Sequence, residues 1–279
     1  DADEQIASRM VSSESYRLDQ DPSALDQAKR TSTTYFIGAK GDEIADYSYN
    51  YVLYGSDAGS TVKTTSVMYY TELDTTGAEV AQTFLRAGDL DADEQIASRM
   101  VSSESYRLAQ DPTALAQAKR TSTTYFIGAK GDEIADYSYN YVLYGTEAGS
   151  TVKTTSVMYY TELDTTGAEV AQTFLRAGSL DADEQIASRM VSSESYRLAQ
   201  NPAALQKSKR TSTTYFIGAK GDEIADYSYN YVLYGTEAGS AVKTTSVMYY
   251  TELDTTGAEV DQTFLRAGSL DADEQIASR

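Results

Sequence analysis

The chain has 279 residues, with 23 Lys and Arg against 42 Asp and Glu, a formal net charge of −19, and no His, Cys or Trp. That charge balance argues against a nucleic-acid binder, whose phosphate partner needs a basic footprint, and against docking on an anionic membrane. The missing residues exclude Ser-His-Asp and Cys-His catalysis, the common zinc and haem ligand sets, and any disulfide.

Residues 1–90, 91–180 and 181–270 are three near-copies, and 271–279 (DADEQIASR) open a fourth. Self-similarity at a fixed period sets the architecture before any local reading. The first copy differs from the second at six positions: 19, 23, 26, 56, 57 and 89. Ser56 and Asp57 become Thr146 and Glu147, exchanges that read as drift after recent duplication. The chain starts and stops inside a copy, so a longer array is expected. No apolar run approaches the roughly 20 residues of a membrane helix.

Within the second copy, 91–108 opens on Asp91, Asp93 and Glu94, which resemble a capped helix start. Read at period two, however, Ile96, Met100, Tyr106 and Leu108 share a face, and the serine-rich centre is poor helix material. The spacing predicts a strand over about 96–108, with a helix at 91–108 as the alternative. Asp111-Pro112 starts a turn, with a single helical turn as an option, and a strand follows to about Ile127. Gly128-Ala-Lys-Gly131 turns the chain into a strand over 134–144. After Gly145–Ser150, the β-branched and aromatic run 152–163 is a strand, and 169–176 is a shorter one.

The most regular stretch is 31–54, restated unchanged at 121–144 and 211–234. In it Ala45, Tyr47, Tyr49, Tyr51 and Leu53 point one way, and Asp46, Ser48 and Asn50 the other. The expected tyrosine ladder is Tyr47, Tyr49 and Tyr51, repeated as Tyr137, Tyr139 and Tyr141 and as Tyr227, Tyr229 and Tyr231. Such a ladder serves cross-strand packing or, on an exposed face, stacking of sugars or bases. Tyrosine in place of phenylalanine marks a face that is apolar yet partly wet.

The run Thr123-Thr-Tyr125, the glycine turn at Gly131 and the exit Tyr137-Ser-Tyr139 resemble the β-hairpins of the tyrosine–aspartate repeats in Rhs and teneurin-type proteins. The likeness covers about a third of each copy; here the order is Asp136-Tyr137, not Tyr-Asp. The resemblance implies hairpins wound into a continuous β-spiral.

Two carboxylate groupings invite chemistry. Asp132, Glu133 and Asp136 could serve as paired glycosidase carboxylates or simply as solvated turn charges. Asp91, Asp93 and Glu94 could hold calcium, or could cap a helix. They lack the glycine and the distant bidentate glutamate of the EF-hand loop. No catalytic residue, resident metal or cofactor is expected.

The expected fold is therefore mainly β: tandem 90-residue repeats of antiparallel hairpins forming a continuous sheet, spiral or tube. An α+β repeat with a helix at 91–108 is the alternative. Five strands in an up-and-down meander would make successive copies start in opposite directions. A helix or crossover at 91–108 would leave every copy starting the same way. The expected role is structural, as a segment of an extracellular fibre, tube or surface stalk. Its partners would be further copies of the repeat in the same chain and in neighbouring chains. The alternatives are an adhesin-type glycan-binding module and an Rhs-like encapsulating shell. Near-identical copies suit a periodic polymer better than a shell of diverged hairpins.

Overall fold

The computed structural model describes residues 8–17, 20–253 and 259–270; the fourth-copy start at 271–279 lies outside them. Strand accounts for 48% of the chain and helix for 12%, so the expectation of a mainly β, antiparallel fold holds. The chain divides into two compact units, residues 1–133 with 141–151, and residues 134–140 with 152–279. The first contains the junction between copies at 90/91, the second that at 180/181.

The first unit holds β1 (Ser12–Tyr16), β2 (Arg30–Ile37), β3 (Ile44–Tyr51), β4 (Val62–Leu73), β5 (Glu79–Arg86), α1 (Ala92–Ala97), β6 (Met100–Arg107) and β7 (Arg120–Ile127). Their order is β1-β2-β3-β4-β6-β7, with β5 also beside β4. Every pair is antiparallel. The second unit holds β8 (Ile134–Tyr141, its last residue in the first unit), β9 (Val152–Leu163), β10 (Glu169–Arg176), α2 (Ala182–Ala187) and β11 (Met190–Arg197). It continues with β12 (Arg210–Ile217), β13 (Ile224–Tyr231), β14 (Val242–Val247), β15 (Tyr249–Leu253) and β16 (Glu259–Arg266). The order β9-β11-β12-β13-β14 mirrors the first unit; β10 lies beside β9, and β15 and β16 form a separate pair.

Two expectations are corrected. The stretch expected as one strand over 96–108 is a short helix followed by a strand. Asp91 caps α1: its carboxylate accepts from the Glu94 N–H at 2.9 Å, and the Glu94 side chain accepts from the Asp91 N–H at 2.9 Å. This reciprocal cap satisfies two otherwise orphaned donors. The serine-rich run after it is β6, held as strand by pairing on both edges.

The meander is also overturned. β4 is 12 residues long, and its neighbours β3 and β5 are 8 each. β3 pairs with residues 62–67 of β4 and β5 with 69–73. β6 runs along 64–70 of the opposite edge, where the Thr71 N–H also donates to the Arg99 carbonyl at 3.1 Å. β5 and β6 are both antiparallel to β4, hence parallel to each other. The connection through α1 is a crossover from one edge of β4 to the other. The second unit repeats this with β9, β10 and β11. The first two copies have five strands each and the third six, its long strand being split, and β1 and β6, which open the first two copies, run in the same direction.

The crossover covers the main apolar cluster of the first unit. Ile44, Tyr70, Ala87 and Leu90 are buried together, with Ile37, Met68, Leu85 and Met100 packed against them. Gln95 Nε2 donates to the carbonyls of Ala87 and Leu90. Lys130 Nζ donates to the carbonyls of Gln95 and Ile96 at 2.8 and 2.7 Å, a cation at the end of the helix. Gly59 is a glycine by necessity: its φ is +67°, and a Cβ there would lie 1.7 Å from the Gln27 carbonyl oxygen. That closeness seats the 55–61 loop on the 3-10 turn at Gln27–Lys29.

Candidate functional site

Alternation along the strands gathers the tyrosines on one sheet face. In the first unit Tyr35 stacks on Tyr47 across β2 and β3, with centroids 4.6 Å apart, and Tyr49 meets both edge-on. Tyr51 sits deeper, 7% exposed, with its hydroxyl 3.2 Å from that of Thr33. Tyr141 has the same role against Thr123. In the second unit Tyr137 and Tyr139 meet edge-on at 5.4 Å, and Tyr227 and Tyr229 form a trio with Tyr215. Tyr231 is buried against Thr213. Along β3 and along β13 the ladder residues thus share a face, divided between a half-buried stack and a buried anchor. The opposite face is not simply exposed. Ser48, Ser138 and Ser228 on it are buried, and Ser66 and Ser105 bond across strands at 3.2 Å.

A carboxylate between these aromatics organises the face. Glu104, on β6, accepts from Arg120 at 2.7 Å, from the Tyr106 hydroxyl at 2.5 Å, and more loosely from Thr123 and Tyr69. Arg120 lies 4.1 Å over the Tyr141 ring, and its Nε donates to the Gly149 carbonyl at 3.0 Å. Burial works against the Arg120 charge, but Glu104 outweighs it and raises the guanidinium pKa. Burial and the nearby Glu104 push the Tyr69 phenol up to about 12 and raise Tyr106 further. Tyr69 belongs to the first copy and Glu104 to the second, so the cluster stitches the two together.

The second unit repeats the cluster. Glu194 accepts from Arg210, Tyr196, Thr213 and Tyr159. Beside it, Tyr159, Phe174, Ser192, Thr213 and Tyr215 complete a cleft of about 250 Å³. Both Glu194 oxygens already accept two hydrogen bonds each. The carboxylate's hydrogen-bonding capacity is filled by protein donors. The exposed aromatic there is Phe174, 44% exposed.

The other candidates are placed as follows. Asp91 and Glu94 are committed to the cap, and Glu94 Oε1 also accepts the Leu73 N–H at 3.0 Å. With Asp93 they line an open cleft that includes Asp74. Among the described residues, no group of three or more Asp or Glu is arranged to hold a metal ion. Glu133 accepts from the Met100 and Gly131 N–H groups, each at 2.9 Å. Asp136 pairs with Arg176 at 2.5 Å. Glu133 and Asp136 are thus engaged in structural bonds.

The sequence reading missed Glu104 and Glu194, and with them Tyr69, Tyr106 and Arg120. The available signal was a lone charge at the centre of a serine-rich strand, two residues before a tyrosine. Compared with family models, with curated proteins and with solved structures, the chain matches none. Among the described residues no helix is long and apolar enough to cross a membrane.

Proposed function

We propose that the protein is a structural repeat protein, a segment of an extracellular or surface fibre, tube or stalk, in which each copy completes the core of its neighbour. One observation carries this. In β6 and β11, each paired with the long strand of the preceding copy, Ser102, Tyr106, Ser192 and Tyr196 are buried. Val101 and Val191, in the same two strands, are each 5% exposed. A repeat that cannot bury its own face is stable only in an array, and stability then grows with copy number. The likeness to tyrosine–aspartate hairpin repeats fits the same role. The test is a version with one more 90-residue copy inserted. Its denaturant midpoint should exceed that of the 279-residue chain, and an unchanged midpoint would remove the array reading. Electron micrographs of the native material would then give the form of the assembly.

A second reading rests on the cleft at Phe174. Tyr159, Phe174 and Tyr215 offer aromatic surface beside polar groups, the composition of a sugar platform. Glycan-array binding that is lost in Phe174→Ala would favour it; no binding by the intact chain would dismiss it.

A further inference from the structure

We propose that the aromatic cleft at the junction between copies is a cage for a quaternary ammonium group, such as the trimethylammonium of choline. The proposal rests on the same cleft as the sugar reading and assigns it a different occupant.

Strand register builds the cage. In the second unit Tyr159 on β9, Ser192 on β11 and Tyr215 on β12 stand directly opposite one another. Opposed residues of an antiparallel pair share a face, so a small serine is set between two aromatic rings. The two outer strands of the three lie about 10 Å apart, which leaves a slot over Ser192 with a tyrosine on either side. Tyr215 is braced from β13 by Tyr227, stacked on it at 4.7 Å. Glu194 is two residues along β11 and so on the same face, and the exposed Phe174 on β10 completes the lining. The first unit repeats the register with Tyr69, Ser102 and Tyr125, beside Glu104 and the exposed Phe84.

The chemistry of the lining selects the occupant. A sugar hydroxyl or a primary ammonium must exchange its bonds to water for bonds to the site. Here Glu194 already accepts from Arg210, Thr213, Tyr196 and Tyr159, so its oxygens and the Thr213 and Tyr159 hydroxyl hydrogens are committed. A quaternary ammonium asks for no hydrogen bond; ring faces and negative charge hold it. The lining supplies three aromatic rings and one carboxylate, and no cationic side chain. Arg210 offsets part of the Glu194 charge, but its guanidinium lies 4.1 Å over the Tyr231 ring and donates to the Gly239 carbonyl. The net charge of −19 adds a field that favours a cation.

Titration of the full chain with choline, followed by ligand-detected NMR, is the test. Two comparison ligands accompany it: methylammonium, and the uncharged isostere of choline in which a tert-butyl group replaces trimethylammonium. Choline should bind saturably, and both comparison ligands at least about tenfold more weakly. The double variant Phe84→Ala, Phe174→Ala should lose about tenfold in choline affinity. If it loses its β spectrum, Phe84→Leu, Phe174→Leu replaces it, keeping apolar bulk without a ring face, with the same expected loss. Equal affinity for choline and the uncharged isostere would mean plain apolar binding and overturns the proposal. Equal affinity for choline and methylammonium would mean a general attraction to the acidic surface and overturns it too. So does choline binding that the phenylalanine variants leave unchanged, or no choline binding at all. Glycan binding in that last case would leave the sugar reading standing alone. Flotation with phosphatidylcholine vesicles identifies the source of the group. Co-flotation that choline competes away assigns a lipid headgroup, and choline binding without co-flotation assigns a soluble ligand.

Discussion

The same twelve residues, VKTTSVMYYTEL, form β4 and β9 as unbroken strands, but at 242–253 they split into β14 and β15. The intact strands have β6 or β11 along one edge; β14 is exposed along its whole length. Sequence is constant in this comparison, so the difference comes from the neighbour. Strand continuity and burial here are properties of the junction between copies, not of a copy.

The carboxylate cluster gives the largest expected contrast. Glu104 and Arg120 are 17% and 18% exposed, whereas Glu14 on β1 is 36% exposed. Removing one partner of a largely buried pair strands the other, so Glu104→Ala should cost about 3 kcal/mol. Glu14→Ala should cost under about 1 kcal/mol, as for exposed pairs. Equal urea-midpoint shifts for the two variants would break the comparison. The valines sharpen it with a smaller effect. Val157→Ala removes buried methyl groups and leaves a void, at about 2 kcal/mol. Val247→Ala should stay within about 0.5 kcal/mol, as surface changes do. Thermal melts of the two variants check the difference.

The tyrosines predict the smallest effect near neutrality and a distinct one in alkali. Burial first, then Glu104 or Glu194, pushes the Tyr69 and Tyr159 phenols from 10 up to about 12. A folded-state pKa raised above the unfolded one gives stability that is fully present below about pH 10 and is lost as pH rises toward 12. Stability should therefore be insensitive to these groups at neutral pH and fall across that window. Phenolate absorbance should show a class of tyrosines that ionises late. A single titration step for all tyrosines would contradict the buried cluster.

Much of the fold was legible. The strand expected at 152–163 is β9, that at 169–176 is β10, and the tyrosine strand begins at Ile134 as read. Period two and β-branched composition carry that information locally. The 91–108 stretch was harder, because two signals lay end to end. The cap at Asp91 and Glu94 belonged to a six-residue helix, and the serine run belonged to a strand whose pairing partners lie far away in sequence. The crossover left a quieter trace: a 12-residue strand beside 8-residue neighbours has room for two partners on one edge. Ser48 and Thr65 are buried without being apolar; Thr65 accepts the Gln110 N–H and donates to the Leu108 carbonyl, partners that lie more than 40 residues away. Glu104 was not legible as a hub because the groups it gathers, apart from Tyr106, sit 16 to 35 residues away.

The crossover between β4 and β6 also bears on how the chain finds its fold. Tyr69 and Glu104 meet across a separation of 35 residues. β11 repeats β6 in sequence, so it competes for the same edge of β4 from one copy further along. The longer loop costs only about 1 kcal/mol more to close. Closure entropy alone therefore lets a sizeable minority of first encounters skip a copy, the characteristic failure of repeat proteins. Synthesis removes that competition, because β6 leaves the ribosome and claims β4 before β11 exists. Refolding from denaturant restores it, and a slow phase of chains correcting skipped copies is the expected kinetic signature.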